Sequence, residues 1–393
     1  MTGRGQEIVD LMERRRINIM CVQETKWKGC KAKEIGNGFK LFYNGSDGKR
    51  NGVGIILNDD IKKGVFTVKR RSDRIIWKRV DLEGEIVNIM SAYAPQMGCD
   101  EEEKTQFRED LEEDLREIPE SERLWIGGDF NGHCGSNNRG KEDIIGIYGV
   151  GASNVAGDQL VDFAMSHSLR IVNTFFKKAE RHRITYKSRD AESKIDYILC
   201  RMSDRGSIKD CKVILGESVT SQHRPLVCTL GMSVTPRRKV IGVQRTKWWK
   251  LADKDTQSQF VAAARDKLQQ SEREGNRSFE EVTEYLRKLG ERLLGRTSGK
   301  CKPGKKTWWW NDEVQESLKR KKEAKKILDM ENNDENKEVY KLAKKEAKKS
   351  VAGAKARAYQ VLYEDMGTID GQKRALRMAM QRDKNSKTST RQS

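Results

Sequence analysis

Histidine, proline and long apolar runs are what this chain has least of. Four histidines in 393 residues, beside eight cysteines of which none forms a CxxC pair, argue against a structural zinc site. No stretch is long and apolar enough for a membrane span, and no leader is evident, so the chain is expected to be soluble and not exported. The cysteines are scattered, and Cys21, Cys200 and Cys228 sit inside apolar runs, where a thiol packs as a small hydrophobe. They are expected to be reduced, which suits the cytoplasm or nucleus.

Charge is abundant but uneven. Residues 1–230 carry 38 Lys+Arg against 36 Asp+Glu, a net of +2, whereas residues 231–393 carry 40 against 23, a net of +17. The first part reads as a neutral globular domain. The second reads as a helical extension that faces nucleic acid or solvent. Expected boundaries are a domain over 1–232, a linker with helices over 233–312, a basic helical hairpin over 313–379 and a disordered tail over 380–393.

Periodicity predicts a helix over 6–16, with Ile8, Leu11 and Met12 on one face. Strand-like runs follow at 17–23, 40–43, 52–57, 65–70, 74–82, 86–92, 124–127, 169–175, 194–200 and 226–230. Helices are expected near 101–117 and 157–168. Many strands and few helices suggest sheets packed on each other with helices outside. Further on, helices are expected within 253–295, and Asn311 or Asp312 should cap a helix near 313–331. A second basic helix near 335–364 would carry an apolar stripe of Val339, Ala343, Ala347, Val351, Ala354, Ala358 and Val361.

Five segments end apolar strands in polar groups. Leu124–Asn131 is the most informative: a strand, two glycines that permit tight turns or close approach, then Asp129 and Asn131. Strand alternation would point those two the same way. Glu24 ends the run at Cys21, Tyr93 ends Ser91-Ala92-Tyr93, Asp196 lies inside Lys194–Ile198, and His223 precedes the last strand. Each alone is ordinary, a capping acid or a packed ring. Together, in this order, they suit phosphate and water chemistry.

The stretches CVQETKW (21–27), GVGIILN (52–58), SAYAPQ (91–96), IGGDFNGH (126–133), VNTFF (172–176), TYKS (185–188), KIDYILCR (194–201) and QHRPLV (222–227) carry a family resemblance. Over residues 1–232 the chain resembles the endonuclease/exonuclease/phosphatase superfamily. That superfamily includes DNase I, the apurinic/apyrimidinic endonucleases and the endonucleases of RTE-type non-LTR retrotransposons. The Trp308–Glu313 block resembles the basic linker that follows the endonuclease in such elements. The resemblance implies an α/β fold, a four-layer sandwich of two mostly antiparallel sheets flanked by helices. It also implies metal-dependent phosphodiester hydrolysis by activated water.

By that resemblance Glu24 would hold Mg²⁺ (Mn²⁺ being the other candidate), since hard cations take carboxylates. Asp129 would orient and deprotonate water, and Asn131 would hydrogen-bond the phosphate and align Asp129. His223 would donate to the phosphate, Asp196 would fix its tautomer, and Tyr93 would contact the phosphate or assist the leaving group. Lys26, Trp27 and Arg224 are the candidate nucleic-acid contacts. Two departures stand out. The family's first strand with its Asn is absent ahead of Met1, and Gln222 replaces the family's Asp before the histidine. An amide is a poorer ligand for a hard cation. Two readings follow: a DNA endonuclease, or a decayed or domesticated retrotransposon product that binds DNA or RNA through 233–393 without cutting.

Overall fold

The computed structural model describes residues 4–188, 191–217, 219–220, 222–232, 244–273, 279–297, 309–368, 371–372, 375–376 and 379–380. Residues 233–243 at the start of the expected linker, Cys301, Trp308 and the tail beyond 380 lie outside the described residues. Helix α1 (Gly5–Arg15) precedes β1 (Ile19–Val22), β2 (Lys31–Gly36), β3 (Phe39–Asn44), β4 (Val53–Leu57), β5 (Val65–Arg70), β6 (Ile75–Leu82) and β7 (Glu85–Tyr93). Then come α2 (Glu101–Glu117), β8 (Arg123–Asp129), α3 (Val155–Ser166), β9 (Leu169–Ile171), β10 (Tyr186–Ser188), β11 (Ala191–Ser193), β12 (Asp196–Arg201), β13 (Ile208–Val213) and β14 (Leu226–Leu230).

Two sheets dominate. One has the order β1-β4-β3-β2, and the other β5-β6-β7-β8-β12-β9. All pairings are antiparallel except β7 with β8, which α2 joins by a crossover. Side-chain alternation explains the layering. On β4, Val53, Ile55 and Leu57 face the other sheet while Ile56 packs with Ile8, Val9, Leu11 and Met12 of α1. On β8, Trp125 joins the layer between the sheets, while Leu124 and Ile126 pack against Phe107, Leu111 and Leu115 of α2 and Leu160 and Val161 of α3. A strand buried on both faces reads as a continuous apolar run, which is why β4 and β8 are so legible. The result is helix, sheet, sheet, helix: the expected four-layer α/β arrangement.

Differences from the expected elements have local causes. The strand expected over 169–175 stops at Ile171, and 172–174 form a 3₁₀ turn. There the Thr174 hydroxyl donates to the Ile171 carbonyl at 2.6 Å and accepts from Gly146 N–H at 2.8 Å, replacing ladder bonds. Strands β2, β10, β11 and β13 were not expected, because charged residues break their alternation; β2 is a sheet edge, where charge is tolerated.

The described chain divides into two compact units, Met1–Thr235 with Gly304–Ser393, and Pro236–Pro303. The smaller one contains α4 (Lys254–Arg273) and α5 (Phe279–Leu294), with the Trp248 ring edge-on to Phe260. In the larger one, α6 (Asp312–Met330) and α7 (Asp334–Asp365) pack as a hairpin. Asn311 and Asn333 cap them by accepting from Val314 N–H and Asn336 N–H. The face α7 buries keeps the middle of the expected stripe, with Ala343, Val351 and Ala358 partly buried, and departs from it at the two ends. Tyr340, Ala347 and Ala354 are buried at a seven-residue spacing, whereas Val339 and Val361 are 48% and 57% exposed. At the first of those ends Tyr340 is buried in place of its neighbour Val339.

Candidate active site

The two sheets end in a row of polar groups. Tyr93 on β7, Asp129 on β8 and Asp196 on β12 are direct partners in adjacent ladders, so three neighbouring strands deliver three polar side chains at one level. Strand alternation puts Asp129 on the side of Trp125 and Gly127, toward the other sheet. Gly127 and Gly128 lie within β8 and make no turn. A Cβ on Gly127 would meet Cys21 Sγ at 3.2 Å, and one on Gly128 would meet the Ala92 carbonyl at 2.3 Å. Their small size lets protein, not a ligand, come close.

His223 binds into this row from the segment before β14. Its Nδ1 lies 3.0 and 3.1 Å from the two Asp196 oxygens, and its Nε2 lies 3.7 Å from Asp129 Oδ2. The Tyr186 ring stands edge-on to the imidazole with centroids 5.0 Å apart. Glu24 approaches from the end of β1. Tyr93 Oη donates to its Oε1 at 2.8 Å, and Lys26 Nζ lies 3.2 Å from its other oxygen. Both Glu24 and Lys26 adopt left-handed backbone, with φ of 49° and 52°.

Asn131 departs from simple alternation. β8 ends at Asp129, and Asn131 takes φ 48°, a conformation Asn tolerates well. Its N–H donates to Asp129 Oδ1 at 3.0 Å and its side-chain amide to the Ala94 carbonyl at 2.8 Å. The amide therefore anchors the turn and one Asp129 oxygen together.

The candidate nucleic-acid contacts separate. Lys26 is exposed beside Glu24. Trp27 packs edge-on against Tyr43 at 5.2 Å, with Lys33 over its ring. Arg224 faces inward: it is 6% exposed, and its guanidinium lies 3.5 Å from Glu192 and 3.8 Å from Asp329. The carboxylates on β11 and α6 draw it away from solvent. Gln222 is exposed and donates to Tyr186 Oη and Ser188 Oγ, both at 3.0 Å.

Other residues hold the row and were not singled out from sequence. Buried Thr185 accepts the N–H groups of Ile195 and Asp196, both at 3.1 Å. Buried Asn173 donates to the Asp196 carbonyl at 3.0 Å. Lys194, 2% exposed, donates to the carbonyls of Asn173 and Tyr148. Polar residues in the apolar settings of VNTFF, TYKS and KIDY were the available signal, because a buried polar group needs a partner.

Electrostatics follow from this packing. Burial, reinforced by Asp196, pushes the Asp129 carboxyl up to about 7. Burial alone would lower His223, but the hydrogen bond and charge of Asp196, with Asp129 and Glu24, push it up to about 9. For Glu24, burial is outweighed by the Tyr93 hydrogen bond and by Lys26, so its carboxyl is held below the usual range. Burial, with the bond to Glu24, raises Tyr93. Near neutral pH the site thus pairs a carboxyl poised to lose its proton with an imidazolium that keeps its own.

A family model described as Endonuclease-reverse transcriptase matches residues 87–227. Residues 87–227 carry an endonuclease/exonuclease/phosphatase-like domain. Two curated relatives are similar to 240 residues of this chain. They are craniofacial development protein 2 of Bos taurus, 30% identical, and of Tragulus javanicus, 31% identical. The match takes in 60% of this chain but 40% and 41% of those proteins, so the chain spans about two fifths of their length. Among solved structures, the endonuclease domain of TRAS1, a telomere-specific non-LTR retrotransposon, is similar at 16% identity and a TM-score of 0.44. That likeness covers 59% of this chain and 94% of the other. An AP endonuclease from Archaeoglobus fulgidus is similar at 18% identity and a TM-score of 0.45, covering 59% and 95%.

The endonuclease/exonuclease/phosphatase-like domain offers donors of the kind a divalent cation needs. Ligand atoms of Asp129, Asp196 and His223 lie within 4.8 Å of one another. Glu24 adds a half-exposed carboxylate. In this set His223 is bonded to Asp196 and its Nε2 faces the outer Asp129 oxygen at 3.7 Å, while the two Glu24 oxygens are met by Tyr93 Oη and Lys26 Nζ. No helix among the described residues is long and apolar enough to cross a membrane.

Proposed function

We propose that this chain is a metal-dependent phosphodiesterase that nicks DNA, an endonuclease of retrotransposon origin. The observation that carries the reading is the in-register row Tyr93–Asp129–Asp196 with His223 seated on both carboxylates. Glu24 would hold Mg²⁺ or Mn²⁺, and the ion when bound polarises the phosphoryl oxygen. Asp129, with its proton affinity raised close to neutrality, accepts the proton of the attacking water. Asn131 holds the turn that aims it. His223, kept protonated by Asp196, donates to the non-bridging phosphate oxygen where negative charge grows. Tyr93 orients Glu24 by donating to its carboxylate, and would contact the phosphate or assist the leaving group.

Nicking of supercoiled plasmid by purified protein with Mg²⁺, beside Asp129→Ala, tests the reading. Wild-type nicking that the variant loses supports it; equal nicking by both overturns it. A second reading is favoured by Gln222, whose amide is occupied by Tyr186 and Ser188 and gives no carboxylate. In that reading the chain binds DNA or RNA in the nucleus or cytoplasm without cutting, through the +17 of residues 231–393. Such binding weakens steeply with salt. Affinity that survives deletion of residues 233–393 unchanged would remove its basis.

A further inference from the structure

Helix α6 of the basic hairpin does more than carry lysines. Val314, Ser317, Lys321, Ala324 and Lys325 of this helix are buried. Lys321 Nζ lies 2.8 Å from Glu7 Oε2 on α1. Near its C-terminal end, the Asp329 side chain is 3% exposed. It accepts from the Gly216 N–H at 2.9 Å, lies 3.1 Å from Lys325 Nζ, and faces the Arg224 guanidinium at 3.8 Å. Arg224 is the residue after His223, and its own N–H donates to the Thr185 carbonyl at 2.7 Å. Thr185 is the residue that receives the Asp196 N–H.

Close approach is built in at Gly216 as well. It has φ +74°, and a Cβ there would meet Cβ and Cγ of Lys326 at 3.1 Å. A buried carboxylate that holds a backbone N–H and two cations is retained only where its partners are fixed, since an unpaired one is strongly destabilising. Among the described residues Arg224 Nε and Nη1 have no hydrogen-bond partner, and the charges of Asp329 and Glu192 face that guanidinium.

We infer that Asp329 is a positioning residue: from α6 it clamps Gly216 and Arg224, and so fixes the segment that presents His223 to Asp196 and Asp129. This rests on the nuclease reading for the role of His223, though not for the clamp itself. The hairpin then belongs to the site's architecture in addition to any role in binding nucleic acid.

Asp329→Asn in the full chain is the test, with Glu335→Gln on the exposed first turn of α7 as control. Amide hydrogen exchange read by peptide should rise roughly tenfold or more over 214–225 in Asp329→Asn, and stay unchanged over 123–129. Plasmid nicking should show a lower kcat with KM held within about twofold, since positioning, not binding, is lost. Unchanged exchange over 214–225, or a KM effect alone, overturns the inference. Should Asp329→Asn unfold, Gly216→Ala, which pushes on Lys326 without touching a charge, must give the same local rise. If the wild type does not nick, the function reading fails while the exchange measurement still decides the clamp.

Discussion

Asp129→Asn should make the protein more stable at alkaline pH, whether or not it cuts DNA. Asp129 is 5% exposed, and its carboxyl titrates near 7 in the fold against 3.8 ordinarily. The folded state thus holds this proton more tightly than the unfolded chain does. Its contribution to stability is full below about pH 3.8, shrinks as pH rises, and is lost once pH passes about 7. The shift spans about 3 pH units, so keeping Asp129 ionised costs on the order of 4 kcal/mol above pH 7. Part of that is returned by His223, whose raised proton affinity stabilises the fold below pH 6.5 and is lost as pH rises through about 9. Asn keeps an acceptor for the Asn131 N–H and carries no charge. The net gain expected at pH 8 is therefore about 1–4 kcal/mol, falling toward zero near pH 4. Urea unfolding at pH 4.5 and 8, followed by the fluorescence of buried Trp77 and Trp125, measures it. A variant less stable than wild type at pH 8, or a difference that does not change with pH, would refute the account of how Asp129 is held.

Nicking by the wild type should rise with pH through about 7, as Asp129 loses its proton, and fall through about 9, as His223 loses its own; a flat profile between pH 6 and 10 contradicts those roles. In Tyr93→Phe the Glu24 carboxyl loses its hydroxyl donor and should titrate higher, with nicking slowed roughly 10–100-fold, as plasmid assays across pH will show. EDTA should abolish nicking and excess Mg²⁺ restore it, with Glu24→Gln needing more Mg²⁺ for half-maximal rate; insensitivity to the chelator speaks against the metal. Leu124→Ala, at a fully buried position between β8 and the α2–α3 layer, should cost about 2–5 kcal/mol in urea unfolding.

Much of the scaffold was legible because the strands that matter most are buried on both faces. Apolar runs at 52–57, 86–92 and 124–127 announce β4, β7 and β8 without any need for pairing information. Strands β2, β10, β11 and β13 escaped because exposure on one side admits charge, and charge erases the alternation. The turn at 172–174 escaped because one threonine hydroxyl redirects the backbone. Candidate site residues were visible as polar groups at strand ends. Thr185, Asn173 and Lys194, which hold Asp196 in place, were not, because their partners are backbone atoms from distant parts of the chain.

By itself, the sequence determined the family resemblance, the two-sheet α/β architecture and the split between a neutral first part and a basic second part, since these depend on local pattern and summed charge. Only the tertiary structure decided register. It put Tyr93, Asp129 and Asp196 on one level of three adjacent strands, and it set His223 between two carboxylates. It also turned Arg224 inward toward Asp329, more than a hundred residues away. Pairing between distant strands, and the burial that shifts proton affinities, are properties of packed neighbours, and no local window of residues contains them.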